Sequence, residues 1–153
     1  MTFSLWKRNV IGTAVAAVAL AASTAFVLKP AWEGYERTVQ PAHTVARGES
    51  VVVDGQTWSV RNMYRAVRQP GSHRPPPEGT VEANVVIERS GTTEDGFGCN
   101  GFLVDDERSW RADGPPCGAT QTMEWKFLIP ASAEPTAVDV RTLDGSILIR
   151  FEL

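Results

Sequence analysis

Histidine and cysteine are scarce in this chain, with two of each in 153 residues. That scarcity removes most nucleophile and metal chemistry. A Ser-His-Asp device needs a base held about 3 Å from its nucleophile and oriented by a third group. His43 and His73 both fall in proline-containing segments and read as solvated loop residues. A tetrahedral zinc site needs His or Cys partners beside Cys99 and Cys117, and there are none nearby in sequence, so no metal or other cofactor is expected. No stretch after residue 45 carries an apolar stripe at helical spacing, which excludes a substantial helix there. No internal repeat suggests a propeller or solenoid. A basic excess is missing too. Lys7, Arg8 and Lys29 hold all the charge of the first 29 residues, which leaves twelve Lys and Arg against eighteen Asp and Glu in the remainder. An acidic domain is poorly suited to neutralising phosphates, so no nucleic-acid partner is expected.

The longest absence is of charge itself. Residues 10–28 contain nineteen consecutive uncharged side chains. As an α-helix rising 1.5 Å per residue, such a run matches a hydrocarbon core of about 30 Å. Lys7 and Arg8 precede it and, by the positive-inside rule, keep residues 1–9 in the cytoplasm and send the rest outward. Trp6, Trp32 and Tyr35 lie where an interfacial aromatic belt would. A cleaved signal peptide is the rival reading, because Ala19-Leu20-Ala21 offers a small-residue cleavage site. Apolar character continues past it through Ala25, Phe26, Val27 and Leu28, longer than a usual signal core, and favours a single-pass signal-anchor helix at the cell membrane. Cleavage would instead secrete the domain. Either way the remainder is extracytoplasmic.

Residues 29–44 hold Pro30, Gly34 and Pro41 among polar residues and read as a linker, reaching at most about 50 Å if extended at roughly 3.1 Å per residue. From residue 45 the pattern becomes period-two alternation, the mark of strands with one buried face. Strands are expected at residues 50–53, 57–68, 81–88, 123–129 and 147–153, with weaker ones at 99–105, 109–112 and 137–141. Asp54-Gly55 supplies a tight hairpin turn. On the second strand Trp58, Val60, Tyr64 and Ala66 share one face, with Arg61, Met63 and Arg65 on the other. Short strands at roughly ten-residue spacing favour an all-β two-sheet sandwich over residues 45–153.

Few residues invite chemistry. Cys99 and Cys117, in an exported chain with an even cysteine count, are expected to form a disulfide. Closing a loop of about 18 residues is worth roughly 3 kcal/mol in the chain-entropy view. The alternative is two unpaired thiols. Asp105-Asp106-Glu107 reads as a polar hairpin turn. As a calcium site it would recruit Asp95 or Asp113, but the EF-hand spacing is absent. Arg61, Arg65, Arg68, Arg74 and Arg89 form a basic neighbourhood, with Arg61 and Arg65 on one exposed face. Trp58 and Trp125 are core, while Trp110 is kept as a partner contact. Residues 69–80, with Pro70, Pro75, Pro76 and Pro77, form an irregular loop whose Gln69, His73 and Arg74 are the remaining contact candidates. A plain connector is the alternative.

Residues 48–60, the alternating strand at 81–88, and Trp125-Lys126-Phe127-Leu128-Ile129-Pro130 resemble the immunoglobulin-like domains of unknown function found in exported bacterial proteins, the immunoprotective extracellular antigen group. The Asp-rich hairpin before Trp110 is part of the likeness, which covers residues 45–153; the cysteine positions and the Pro-rich loop are not. The resemblance implies an immunoglobulin-like sandwich without catalytic residues. The leading functional expectation is therefore a membrane-anchored binding or scaffolding module with a protein or cell-envelope partner, not an enzyme. An envelope hydrolase or metal-dependent enzyme built on the acidic hairpin, and a purely structural or antigenic envelope protein, are the alternatives. Ligand identity and oligomeric state are not legible.

Overall fold

The computed structural model describes residues 5–66, 76–91, 98–106, 108–114, 116–118 and 120–153. They form two units, Met1–Thr38 and Val39–Leu153.

The first unit is helical throughout its described part. An α-helix, α1 (Leu5–Ser23), runs into a π-helical turn at Thr24–Leu28 and then into α2 (Lys29–Val39). The N–H of Lys29 reaches back five residues to the Thr24 carbonyl. This wider turn lies directly before Pro30, whose ring would otherwise press on the carbonyl four residues back and which has no N–H to give. Within the linker expected at residues 29–44 the first eleven residues are helix, which spans less than the same length of extended chain. The missed signal is a second periodicity. Leu28, Trp32, Tyr35 and Val39 are spaced four, three and four apart, one face of a helix, while Lys29 and Glu33 pair across one turn at 3.7 Å. Within Asn9–Val39 the helix is long and apolar enough to cross a membrane.

The second unit is built from nine described strands: β1 (His43–Val45), β2 (Ser50–Val53), β3 (Gln56–Ala66), β4 (Thr80–Ser90), β5 (Cys99–Val104), β6 (Ser109–Arg111), β7 (Thr122–Pro130), β8 (Ala137–Thr142) and β9 (Ile147–Glu152). They make a five-stranded sheet in the order β1-β9-β8-β5-β6 and a four-stranded sheet in the order β2-β3-β4-β7. Asp54 (φ 51°) and Gly55 (φ 72°) turn β2 into β3 with two positive φ angles, as the Asp-Gly pair predicts. One hydrophobic cluster joins the inward faces of both sheets. It includes Trp58, Val85, Ile87, Trp125 and Phe127 of the smaller sheet and Leu103, Val138, Val140 and Ile149 of the larger. Fit between the sheets is close at Gly101 of β5, where an added Cβ would sit 2.2 Å from the Trp125 ring.

Strand β1 was not anticipated. It offers only Val45 to the core, and its partner, the parallel β9, lies at the other end of the domain, so no local hairpin signal exists. A bulge between Val60 and Asn62 produces a second difference. The extra residue reverses the alternation of β3, since a one-residue slip exchanges the two faces. Met63 consequently packs on the core, whereas Tyr64 is 37% exposed. Arg61 and Arg65 part company. Arg61 meets Glu88 at 2.9 Å, and Arg65 donates to the Ala133 carbonyl at 2.8 Å.

Candidate functional site

Cys99 opens β5, and the chain returns past β6 so that Cys117 faces it; the two form a disulfide with Cα atoms 5.0 Å apart. The N–H of Cys117 also donates to the Cys99 carbonyl at 2.7 Å, so the bridge reinforces a backbone contact. The loop beyond Cys117 is held by Arg89. Its guanidinium donates to the carbonyls of Gly118 and Thr120 and lies 5.0 Å over the Trp58 ring. Burial lowers the Arg89 pKa.

The residues singled out from sequence do not converge. Gln69, His73, Arg74 and Arg68 lie outside the described residues. Of the Pro-rich loop, Pro77 is described, and its carbonyl accepts from the Thr80 N–H at 3.1 Å and hydroxyl at 2.6 Å. His43 stands exposed on β1 and not in a loop, opposite Ile149. Trp110 of β6 is half-buried: it packs against the core, and the Arg108 guanidinium lies 5.3 Å over its ring. The described members of the basic neighbourhood, Arg61, Arg65 and Arg89, serve three separate places.

The acidic hairpin is a turn. Asp105 accepts from the Arg108 N–H at 2.7 Å and from the Arg108 guanidinium at 2.8 Å. Asp105, Asp106, Arg108, Ser132 and Glu134 line an open concavity of about 380 Å³. Asp113 is placed elsewhere, its N–H donating to the Lys126 carbonyl, and Asp95 and Glu107 are outside the described residues. Among the described residues no group of three His, Cys, Asp or Glu side chains could hold a metal ion.

The most organised polar constellation lies on the outer face of the five-stranded sheet. Strand register places Thr44, Arg150, Asp139, Phe102 and Arg111 in one row across β1, β9, β8, β5 and β6. Asp139 is fully buried. Arg150 grips it with two bonds, Nε to Oδ1 at 2.7 Å and Nη2 to Oδ2 at 2.9 Å, and Arg141 adds Nη2 to Oδ2 at 2.9 Å. The Arg141 guanidinium also lies 4.4 Å over the Phe102 ring. Arg111 donates to the Asn100 side-chain carbonyl at 3.0 Å. Hydrogen bonding to Asp139 raises the Arg150 pKa against the opposing effect of burial. Sequence reasoning passed over these arginines because alternation shows only that each faces outward. Their gathering depends on which strands are neighbours.

The class defined by these features is a two-sheet, disulfide-bridged β domain preceded by a long apolar helix. No family model, curated protein or solved structure matches the chain.

Proposed function

We propose that the protein is a non-enzymatic binding or scaffolding module tethered to the outer side of a cell membrane by its N-terminal helix, with residues 45–153 forming an immunoglobulin-like sandwich. The observation that carries this reading is the Cys99–Cys117 disulfide in a chain headed by a membrane-length helix. Structural disulfides persist in oxidising compartments, so the bridge supports export and the helix supports attachment. Two sheets sharing one core and bearing polar outer faces suit display of a surface over catalysis in a cleft.

The test is topology. Protease added to intact spheroplasts should remove the β domain and leave a membrane-bound fragment containing residues 10–28. A thiol probe applied to the denatured, unreduced envelope protein should label neither cysteine. Protection of the domain, or full labelling of both cysteines, overturns the proposal.

A further inference from the structure

Asp139 needs only one guanidinium. Arg150 already gives it two hydrogen bonds, yet Arg141 joins it, and Arg111 stands at the far end of the same row. Asp139 and the exposed Glu152, on the outer face of β9 two residues from Arg150, stand against three arginines and leave one positive charge in excess on this part of the sheet. The Arg141 Nε is buried with no hydrogen-bond partner among the described residues. Arg111 is exposed, but Arg141 is partly buried, and partly burying a surplus cation costs solvation unless an anion compensates it. Arginine is also the favoured type: eleven of the twelve basic residues beyond position 29 are Arg. Its planar fork pairs directionally with oxyanions where lysine acts as a point charge.

From this geometry we infer that the outer face of the five-stranded sheet binds a linear polyanion carrying phosphate groups along its length, running across the strands over Arg150, Arg141, Phe102 and Arg111. This names the partner class for the module proposed above and rests on that reading. Three features set the ligand chemistry. With strands about 4.8 Å apart, the backbones at Arg111 and Arg150 are separated by roughly 14 Å, too far for one small anion to bridge. The guanidiniums are already oriented by Asp139 and Asn100, so less side-chain ordering opposes binding. Arg150 spends Nε and Nη2 on Asp139; guanidiniums engaged along one edge suit a tetrahedral phosphate, which accepts bonds from several directions and carries more charge per group than a carboxylate. The acidic balance of the whole domain does not forbid this. At physiological salt, charges beyond about 8 Å are largely screened, so the local excess governs contact.

The test uses the full chain in detergent with long-chain inorganic polyphosphate as probe, so it can fail while the topology experiment succeeds, or the reverse. Polyphosphate should bind in a salt-dependent manner, with orthophosphate at equal phosphorus competing weakly. Arg141→Gln and Arg111→Gln each leave the Arg150–Asp139 pair in place and should weaken binding roughly tenfold, the loss of one charge-assisted contact. Thr44→Glu places an acid directly beside Arg150, its cross-strand partner, where it competes with the polymer for that guanidinium, and should weaken binding while thermal unfolding shows the fold is kept. Arg61→Gln, on the other sheet, should leave affinity unchanged. Binding that survives the three row substitutions, equal loss with Arg61→Gln, equal affinity for polyglutamate or orthophosphate, or capture by phosphatidylglycerol vesicles in place of the polymer overturns the inference.

Discussion

The outer faces of the two sheets handle buried charge in opposite ways. On the five-stranded sheet a buried carboxylate, Asp139, is overcompensated by two arginines. On the four-stranded sheet Glu82, only 4% exposed, accepts a hydrogen bond from the Asn84 amide at 3.2 Å. Around it the acids Glu88 and Glu124 are occupied by Arg61 and by the Tyr64 hydroxyl, each at 2.9 Å. Both faces belong to sheets sharing one apolar core, so the contrast comes from cross-strand neighbours. A cross-strand pair places side chains about 4.5–5.5 Å apart, and register therefore decides whether a carboxylate meets a guanidinium or an amide. The first face carries an oriented positive surplus; on the second the acids meet an amide, a guanidinium and a phenol, and the buried Asn84 Oδ1 has no hydrogen-bond partner among the described residues.

The sharpest way to break the contrast is Asp139→Ala. It leaves Arg141 and Arg150 facing each other, half-buried and without their anion, and breaking a buried ion pair from one side costs about 3–5 kcal/mol. Urea denaturation should show that loss with an unchanged slope. A loss below about 1 kcal/mol, the range of exposed pairs, would mean Asp139 is effectively solvated.

Gly101→Ala acts on what both sheets share. A methyl group 2.2 Å from the Trp125 ring forces the sheets apart or the indole out of place. Overpacking of this kind costs about 1–3 kcal/mol. Thermal unfolding should fall, and Trp125 fluorescence should report a wetter environment. An unchanged midpoint would show slack between the sheets.

The smallest effect sharpens the other face. The hydrogen bond from Tyr64 to Glu124 raises the phenol above its ordinary value of 10.0, helped by burial and by the charges of Glu124 and Glu82. The folded chain thus keeps this proton to higher pH than the unfolded chain. The contribution to stability is complete below the ordinary tyrosine pKa and is lost as pH rises through the higher folded-state value. Difference absorbance between the wild type and Tyr64→Phe should place the phenolate transition above that of a free tyrosine, and Glu124→Ala should move it back. No movement would mean the bond is not kept in solution.

Much of this β scaffold was readable beforehand. Eight of the nine strands lie where alternation puts them, because each pairs an apolar inward set with polar neighbours and most are separated by Gly or Pro. Two departures share a cause: the bulge at Arg61 and the parallel pairing of β1 arise from partners distant in sequence, which local periodicity cannot report. The Arg141–Asp139–Arg150 cluster forms within the β8–β9 hairpin, from partners two and eleven residues apart, and escapes because alternation names a face and not a cross-strand register. The helical stretch after Lys29 is a different case. Its stripe of Leu28, Trp32, Tyr35 and Val39 was present in the sequence, but Pro30 and Gly34 masked it as a linker, and the π turn shows how the proline is accommodated. The contact residues proposed from the Pro-rich loop were chosen on backbone stiffness alone. The arginine row rests on side chains that strand register brings together.

The disulfide also makes part of the domain a closed ring. Cys99 and Cys117 enclose β5, the acidic turn and β6, which forms an outer edge of the five-stranded sheet. Backbone cleavage inside the ring therefore yields two polypeptides that still migrate as one until a reductant is added. Hydrolysis at the Asp105–Arg108 turn would leave Phe102 and Arg111 on separate fragments yet still covalently linked, so the face they help form could outlast a cut that would release the edge of an unbridged sheet.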